Sequence, residues 1–497
     1  MGACCCSLPF PSPSSPDSST ALLPSAMTNL TIRNLTALPV TLRHVERFEG
    51  ERKRTGDILG NTFGTINSFI NATNFTTRET HAKGDAHQSD DVDVHIEPFT
   101  VNATEIGAPD PANHDVVRLQ FEIEGHRYEV DAPSPSNRSS VMKKLDDAPL
   151  ELTTVYVPNG TFLAIMSSAN LNAWMHELRD EYPLPLLSIP GTHNSPTCHT
   201  ALPSVRCQAV GVREQLDNGV RFLDIRVSVA TDNDDLALVH SAFPISLTGN
   251  KYFADMLADI YAYLDANPSE TVLMSVKREG TGKGTDEQLS HYLRERYVGR
   301  DAHRWFVEPR IPRLGDCRGR IVLIRRFGLD EPLRGEHDGK GWAIDAQHWP
   351  DNCEDGTVGG GLLRVQDFYE IDQSTNIEKK INFSHGQLER AAEQLFHLPD
   401  MPDFNADAPP NPFFINFLTA SNFFNATCWP ERIAAKVNPA VIEYLCMRHG
   451  EPGKGPHQLN VGDAATGVIV TDWVGAHGDW DLIRCIVGMN ARLQLKH

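Results

Sequence analysis

The chain has 497 residues, more than one ordinary domain holds, so two folded units are expected. With 40% hydrophobic and 22% charged residues it can build sizeable cores. The formal net charge of -20 excludes a broad electrostatic grip on nucleic acid or on an anionic bilayer, so an anionic ligand must be held by a local cluster of cations.

No apolar run approaches the roughly 18 residues that a spanning helix needs, and no charged start followed by an apolar stretch marks a secretory signal. The first residues, Met1-Gly2-Ala3-Cys4-Cys5-Cys6-Ser7, offer Gly2 for myristoylation and Cys4, Cys5 and Cys6 for palmitoylation. Two such signals are what stable anchoring requires. Cys6 stands where the motif usually has Ser or Thr, so an inert tip is the competing expectation. Residues 1–27 are Ser/Pro-rich, cannot bury a core, and read as a disordered tether.

Residues 28–168 follow a different rhythm. Leu30-Thr31-Ile32-Arg33, Val92-Asp93-Val94-His95-Ile96, Val117-Arg118-Leu119-Gln120-Phe121 and Leu152-Thr153-Thr154-Val155-Tyr156-Val157 alternate between turn-rich spacers. Period-two alternation predicts a small all-β, antiparallel, sandwich-like accessory domain. It contains no catalytic constellation, and both a membrane or partner module and a structural appendage fit it.

Over residues 169–497 apolar strands alternate with amphipathic helices. The strands are expected at Leu186–Ile189, Arg221–Arg226, Thr271–Val276, Ile321–Ile324, Phe413–Phe417 and Gly467–Thr471, and Phe253, Met256, Leu257, Ile260 and Leu264 mark one buried helix face. Repeated β/α units of this length predict an α/β fold, a distorted TIM-like parallel barrel. Such barrels place their chemistry at the carboxyl ends of strands. Five places qualify: His193-Asn194 after the first strand, Asp224-Ile225-Arg226, His240 after Leu236–Val239, Lys277 after Val276, and Asp472 after Val470-Thr471. A strand-end histidine is usually structural and a lone Asp-x-Arg is usually an ion pair, so the weight lies in their order and spacing.

The run Ile189-Pro190-Gly191-Thr192-His193-Asn194-Ser195, followed by Asp224-Ile225-Arg226 and His240, resembles the X region of phosphatidylinositol-specific phospholipases C, in the bacterial-type, metal-independent branch. The resemblance implies His193 as general base, oriented by Asp472, and His240 as general acid. It implies Arg226 as the phosphate clamp braced by Asp224, with Lys277, Arg326, Asp367 and Tyr369 as inositol-binding residues. The implied reaction cleaves phosphatidylinositol to diacylglycerol and myo-inositol 1,2-cyclic phosphate. No metal or other cofactor is expected, because Arg226 and Lys277 stand where the calcium-dependent branch has acidic ligands and cations there repel Ca²⁺. Asn194 departs from the bacterial pattern, which has Asp; an amide can hydrogen-bond His240 without offsetting its charge.

Two other readings stay open: a metal-dependent glycerophosphodiester or sphingomyelin phosphodiesterase, and a catalytically silent phosphoinositide-binding scaffold. The expected partner is phosphatidylinositol in a membrane surface, met by peripheral contact, with no nucleic acid; oligomeric state is not legible. Cys198, Cys207, Cys317, Cys353, Cys428, Cys446 and Cys485 read as buried thiols, although Cys198 and Cys207 could bridge in an oxidising compartment. Nine N-x-[ST] sequons run from Asn29 to Asn425. Localisation is thus divided between the cytoplasmic face of a membrane, as an acylated peripheral protein, and secretion.

Overall fold

The computed structural model describes residues 28–54, 78–110, 114–135, 138–231, 235–373, 376–405, 407–453 and 458–495. The acylation motif at Gly2, Cys4, Cys5 and Cys6 lies outside them, as does the tether. Among the described residues no helix is long and apolar enough to cross a membrane.

Seven parallel strands form the heart of the C-terminal part: β1 (Ile189–Thr192), β2 (Phe222–Ser228), β3 (Val272–Arg278), β4 (Ile321–Arg326), β5 (Leu363–Gln366), β6 (Phe413–Phe417) and β7 (Val468–Thr471). They pair in the order β4-β3-β2-β1-β7-β6-β5. No pairing joins β4 to β5 among the described residues; Ile344–Asp345 extends the β4 side and Gly356–Val358 the β5 side. Every residue of β1, β4, β6 and β7 is buried, as expected for parallel strands covered on both faces. The covering helices include α1 (Phe253–Ala266), whose Phe253, Met256, Leu257, Ile260, Tyr263 and Leu264 face the core at the spacing read from the sequence.

Two strand expectations shift. The first strand starts at Ile189 rather than Leu186, because Leu184–Leu186 forms a short 3₁₀ turn opened by Pro183 and Pro185. The apolar run before His240 is not a barrel strand: Ala237–His240 folds back antiparallel on β2, with Leu238 opposite Val227, and carries His240 over the carboxyl end of the barrel.

Between Asn29 and Ser167 the described residues form two five-stranded sheets. One orders Val101–Gly107, Asn29–Asn34, Phe162–Ser167, Leu152–Val157 and Ser139–Val141; the other orders Arg78–Ile96, Val40–Arg54, Val116–Ile123, His126–Ala132 and Lys143–Lys144. Pairing is antiparallel except where Asn29–Asn34 runs parallel to Phe162–Ser167. Ile32, Leu163 and Ile165 of the first sheet share a core with Leu42, Leu119 and Phe121 of the second. The first sheet's other face is not solvated. Val155, Val157, Phe162, Ala164 and Met166 join a second core with Val437, Val441 and Leu445 of α3 (Pro430–Met447) and Leu482 and Ile486 of α4 (Asp481–Gly488). This is why Leu152–Val157 is buried at every residue instead of alternating.

Candidate active site

His193, Asp472 and His240 converge. His193 follows β1, and its Nδ1 lies 3.0 Å from Asp472 Oδ1, at the end of the neighbouring β7. The His240 ring stands edge-on to the His193 ring, with centroids 5.7 Å apart. Close approach of β1 to β2 needs Gly191, whose missing Cβ would sit 2.9 Å from Phe222 Cβ and 3.2 Å from its carbonyl oxygen.

Asn194, Ser241 and Trp473, the residues immediately after His193, His240 and Asp472, all have left-handed backbone, with φ of 41°, 52° and 58°. Such conformations typically cost about 1–3 kcal/mol each for side chains other than glycine and are held only where the surroundings demand them. Three in a row at these positions turn the chain sharply just as each functional side chain is delivered.

Arg226, on β2, donates from Nε to Asp224 Oδ2 at 3.1 Å and from Nη1 to Glu279 Oε1 at 3.1 Å. Asp224 is fully buried, accepts the backbone N–H of Asn194 at 3.0 Å, and lies 3.5 Å from Arg326 Nη1. Burial opposes its ionisation, but Arg226 and Arg326 outweigh that and hold its carboxyl well below the usual range. Burial likewise opposes the charge on Arg226, and Asp224 and Glu279 overcome it, raising its pKa. The clamp is therefore a fixed cation. Lys277, one strand over in register with Arg226, donates to Glu279 Oε1 at 2.8 Å and is part-exposed, so its ammonium reaches the mouth.

His240 is held differently from expectation. Its Nδ1 lies 2.7 Å from the carbonyl oxygen of Val205, and the Asn194 amide makes no hydrogen bond among the described residues, to His240 or to any other group. A main-chain carbonyl, not residue 194, sets the tautomer, leaving Nε2 as the nitrogen free of that contact. Burial, reinforced by His193 and Arg226, pushes the His240 pKa down. On Asp472 burial acts upward against the pull of His193.

Arg326 lies under the Trp349 ring, 3.9 Å from its centroid, and Trp349 Nε1 donates to Asp367 Oδ2 at 2.9 Å. Tyr369 is turned aside, its hydroxyl donating to Asp351 Oδ1 at 2.7 Å. Thus His193, His240, Asp224, Arg226 and Asp472 form one cluster and Lys277, Arg326 and Asp367 border it, while Tyr369 is tied to another loop.

Sequence reasoning missed Glu279, Gln208, Trp349 and Lys380, and that Cys207 lies beside His240. Glu279 joins Arg226, Lys277 and the Ser241 backbone N–H; the run Lys277-Arg278-Glu279 hinted at it. Gln208 donates to the carbonyl oxygens of His193 at 2.7 Å and Thr471 at 3.0 Å, tying β1 to β7, and no local pattern announces it. Trp349 sits in an irregular stretch. Lys380 is fully buried on α2 (Ile377–Ala392), and burial pushes its pKa down to about 7 against the pull of Asp367 and Asp472. Cys207 has a buried Sγ 3.6 Å from His240 Nδ1, and both Cys207 and Cys198 are free thiols. Cys198 and Cys353 are only partly buried.

Residues 181–327 match the family model for the phosphatidylinositol-specific phospholipase C X domain, the span that holds His193, Asp224, Arg226, His240, Lys277 and Arg326. The chain thus carries a phosphatidylinositol-specific phospholipase C X domain. It is 25% identical over 315 residues to the 1-phosphatidylinositol phosphodiesterase of Staphylococcus aureus, covering 61% of this chain and 88% of that one. It is 30% identical over 181 residues to the Listeria monocytogenes enzyme of the same name, covering 34% and 53%. A solved structure of the S. aureus phosphatidylinositol-specific phospholipase C covers 64% of this chain and 97% of its own at 22% identity, with a TM-score of 0.50, a likeness of fold. The family's TIM-like barrel is therefore the architecture of the C-terminal part.

Proposed function

We propose that this protein cleaves phosphatidylinositol to diacylglycerol and myo-inositol 1,2-cyclic phosphate without a metal, using His193 and His240 as the acid/base pair. The observation that carries the reading is the triad of His193 on Asp472, with His240 5.7 Å away. His193 Nε2 takes the proton of the inositol 2-hydroxyl, a nucleophile that needs no bound water because it adjoins the phosphate. Asp472 keeps Nδ1 protonated and stabilises the imidazolium that forms. His240 Nε2 gives a proton to the departing diacylglycerol oxygen. Its depressed pKa rises when the phosphate anion docks beside it, so substrate arrival supplies the proton-bearing form. Arg226 neutralises the charge gathered on the phosphorane-like transition state, while Lys277 and Asp367 bind ring hydroxyls.

A hard cation would need Asp224 and Glu279, and both are already engaged by guanidinium or ammonium groups. This favours the metal-free route over a metal-dependent phosphodiesterase. Apolar side chains follow the His240 arm: Phe243, three residues past His240, stacks on Phe423 with centroids 5.2 Å apart, Phe424 packs edge-on to Phe423 and is 94% exposed, and Leu247, four residues past Phe243, is 64% exposed. They are the part of the protein we assign to peripheral contact with a bilayer. Residues 28–168 are read as an accessory β unit built against the catalytic unit of residues 169–497.

The test is purified protein on phosphatidylinositol vesicles with EDTA present. Cyclic inositol phosphate is expected, and is expected to vanish in His193→Ala and His240→Ala. Activity that EDTA abolishes and calcium restores refutes the metal-free reading, and hydrolysis of sphingomyelin alone refutes the substrate.

A further inference from the structure

The acid/base pair has a third neighbour that the reaction does not use. Ligand atoms of His193, Cys207 and His240, one from each residue, all lie within 4.8 Å of one another. Cys207 is fully buried and its main chain is clamped: its N–H donates to Thr197 Oγ1 at 3.1 Å and its carbonyl accepts from Trp473 N–H at 2.8 Å. The sulfur is thus fixed between the end of β7 and the arm bearing His240.

Two imidazoles and a thiolate are a borderline-soft donor set, the set Zn²⁺ prefers and Ca²⁺ or Mg²⁺ do not. Tetrahedral Zn²⁺ with bonds of about 2.0–2.3 Å spaces its ligands roughly 3.3–3.7 Å apart. Cys207 Sγ lies 3.6 Å from His240 Nδ1, already that spacing, so His240 joins through Nδ1 once that nitrogen gives up its contact with the Val205 carbonyl, and the widest separation in the cluster need close by only about 1 Å. Asp472 on His193 Nδ1 reproduces the carboxylate–histidine pairing that orients metal-binding imidazoles and frees Nε2. The carboxylates of Asp224, Glu279 and Asp472 balance the nearby charges of Arg226, Lys277 and Arg326, so the cluster does not repel a cation outright.

We propose that His193, Cys207 and His240 form an inhibitory Zn²⁺ site whose occupation switches off phosphodiester cleavage. The inference rests on reading the two histidines as the acid/base pair. On binding, the Cys207 S–H proton leaves to solvent and a sulfur–zinc bond forms, the His240 proton shifts from Nδ1 to Nε2, and the lone pairs of His193 Nε2 and His240 Nδ1 are committed to the metal; water completes the tetrahedron. With His193 Nε2 occupied the hydroxyl proton cannot be removed, a metal-bound His240 can no longer become the imidazolium that protonates the leaving oxygen, and Zn²⁺ competes with phosphatidylinositol.

The test titrates the full chain with buffered Zn²⁺ while following phosphatidylinositol cleavage, each variant read against its own rate in EDTA. Wild type is expected to lose at least about tenfold in rate at micromolar free Zn²⁺, reversibly, and Cys207→Ala and Cys207→Ser to need at least about tenfold more Zn²⁺ for the same loss. In parallel, Co²⁺ added alone is expected to give a thiolate-to-cobalt charge-transfer band in wild type that both variants lack. Equal Zn²⁺ sensitivity in wild type and both variants, or no thiolate band in wild type, overturns the site. If the chain cleaves no phosphatidylinositol even in EDTA, the acid/base reading fails instead, and the metal site is judged on the cobalt band alone.

Discussion

Arg226 shows what one residue contributes that composition cannot. Its guanidinium is pinned by Asp224 on one side and Glu279 on the other, so the proposed phosphate clamp is oriented in advance. Arg226→Lys keeps the charge and loses the planar fork. The expected result is a fall in kcat of about 10²-fold or more with KM changed by less than about fivefold, because the fork acts on charge that develops in the transition state. Steady-state kinetics on phosphatidylinositol check this, and equal losses in kcat and in head-group binding would contradict it. The residue scale is also where the sequence misled: Asn194 suggested a partner for His240, but the Val205 carbonyl, from a loop 35 residues away, holds that place.

Among the elements, the arm Ala237–His240 and the turn that follows it set function. By folding antiparallel onto β2 it carries His240 inward and leaves Phe243 outward on the rim, stacked on Phe423 of the loop after β6. One short hairpin thus couples the proposed general acid to the apolar rim. Phe424→Ser with Leu247→Ser should weaken binding to phosphatidylinositol vesicles by about tenfold or more, since a bilayer-buried Phe or Leu side chain contributes roughly 1.5–3 kcal/mol. Hydrolysis of monomeric short-chain substrate should stay within about twofold of wild type. Vesicle sedimentation together with that assay separates the effects, and unchanged vesicle binding would remove the rim from the account.

At the scale of the whole molecule the first N-terminal sheet and the C-terminal part share a core, and buried Arg33 joins them. Arg33 is fully buried and donates to the carbonyl oxygens of Cys446 at 3.0 Å, in the last turn of α3, and of His449 at 2.6 Å, just past it, with Glu451 at 3.3 Å. Arg33→Ala strands those acceptors and should cost about 3 kcal/mol. Denaturant unfolding should show the loss in transitions that move together for both parts; a barrel transition left in place would mean the two parts unfold independently. Acid tests the molecule as a whole. Burial pushes the pKa of His385 down to about 4 and that of His449 to about 3, and lowers His240 too. Unfolded histidines titrate near 6.5, so below that pH the unfolded chain binds more protons than the folded one. Stability therefore falls as pH drops from about 6.5 toward the folded values, by up to about 1.4 kcal/mol per histidine per unit, and is fully present above about 6.5. Thermal melts at about pH 7.5 and about pH 5 should show the lower midpoint at about pH 5; an equal or higher one there would refute the burial of neutral histidines.

What could be read from residues in order was whatever chemistry repeats locally. The strand-then-helix rhythm, the apolar face of α1, and the histidine turn from Ile189 to Ser195 depend on spacing along one segment, so they were legible before any fold was known. The same holds for Asp224-x-Arg226, two residues on one face of one strand. What joins distant segments was not legible. Glu279 against Arg226, Gln208 bridging β1 to β7, Cys207 beside His240, and the first N-terminal sheet buried on both faces each depend on side chains that meet only once long loops have closed. Periodicity encodes which face a residue shows, and tertiary packing alone decides what that face meets.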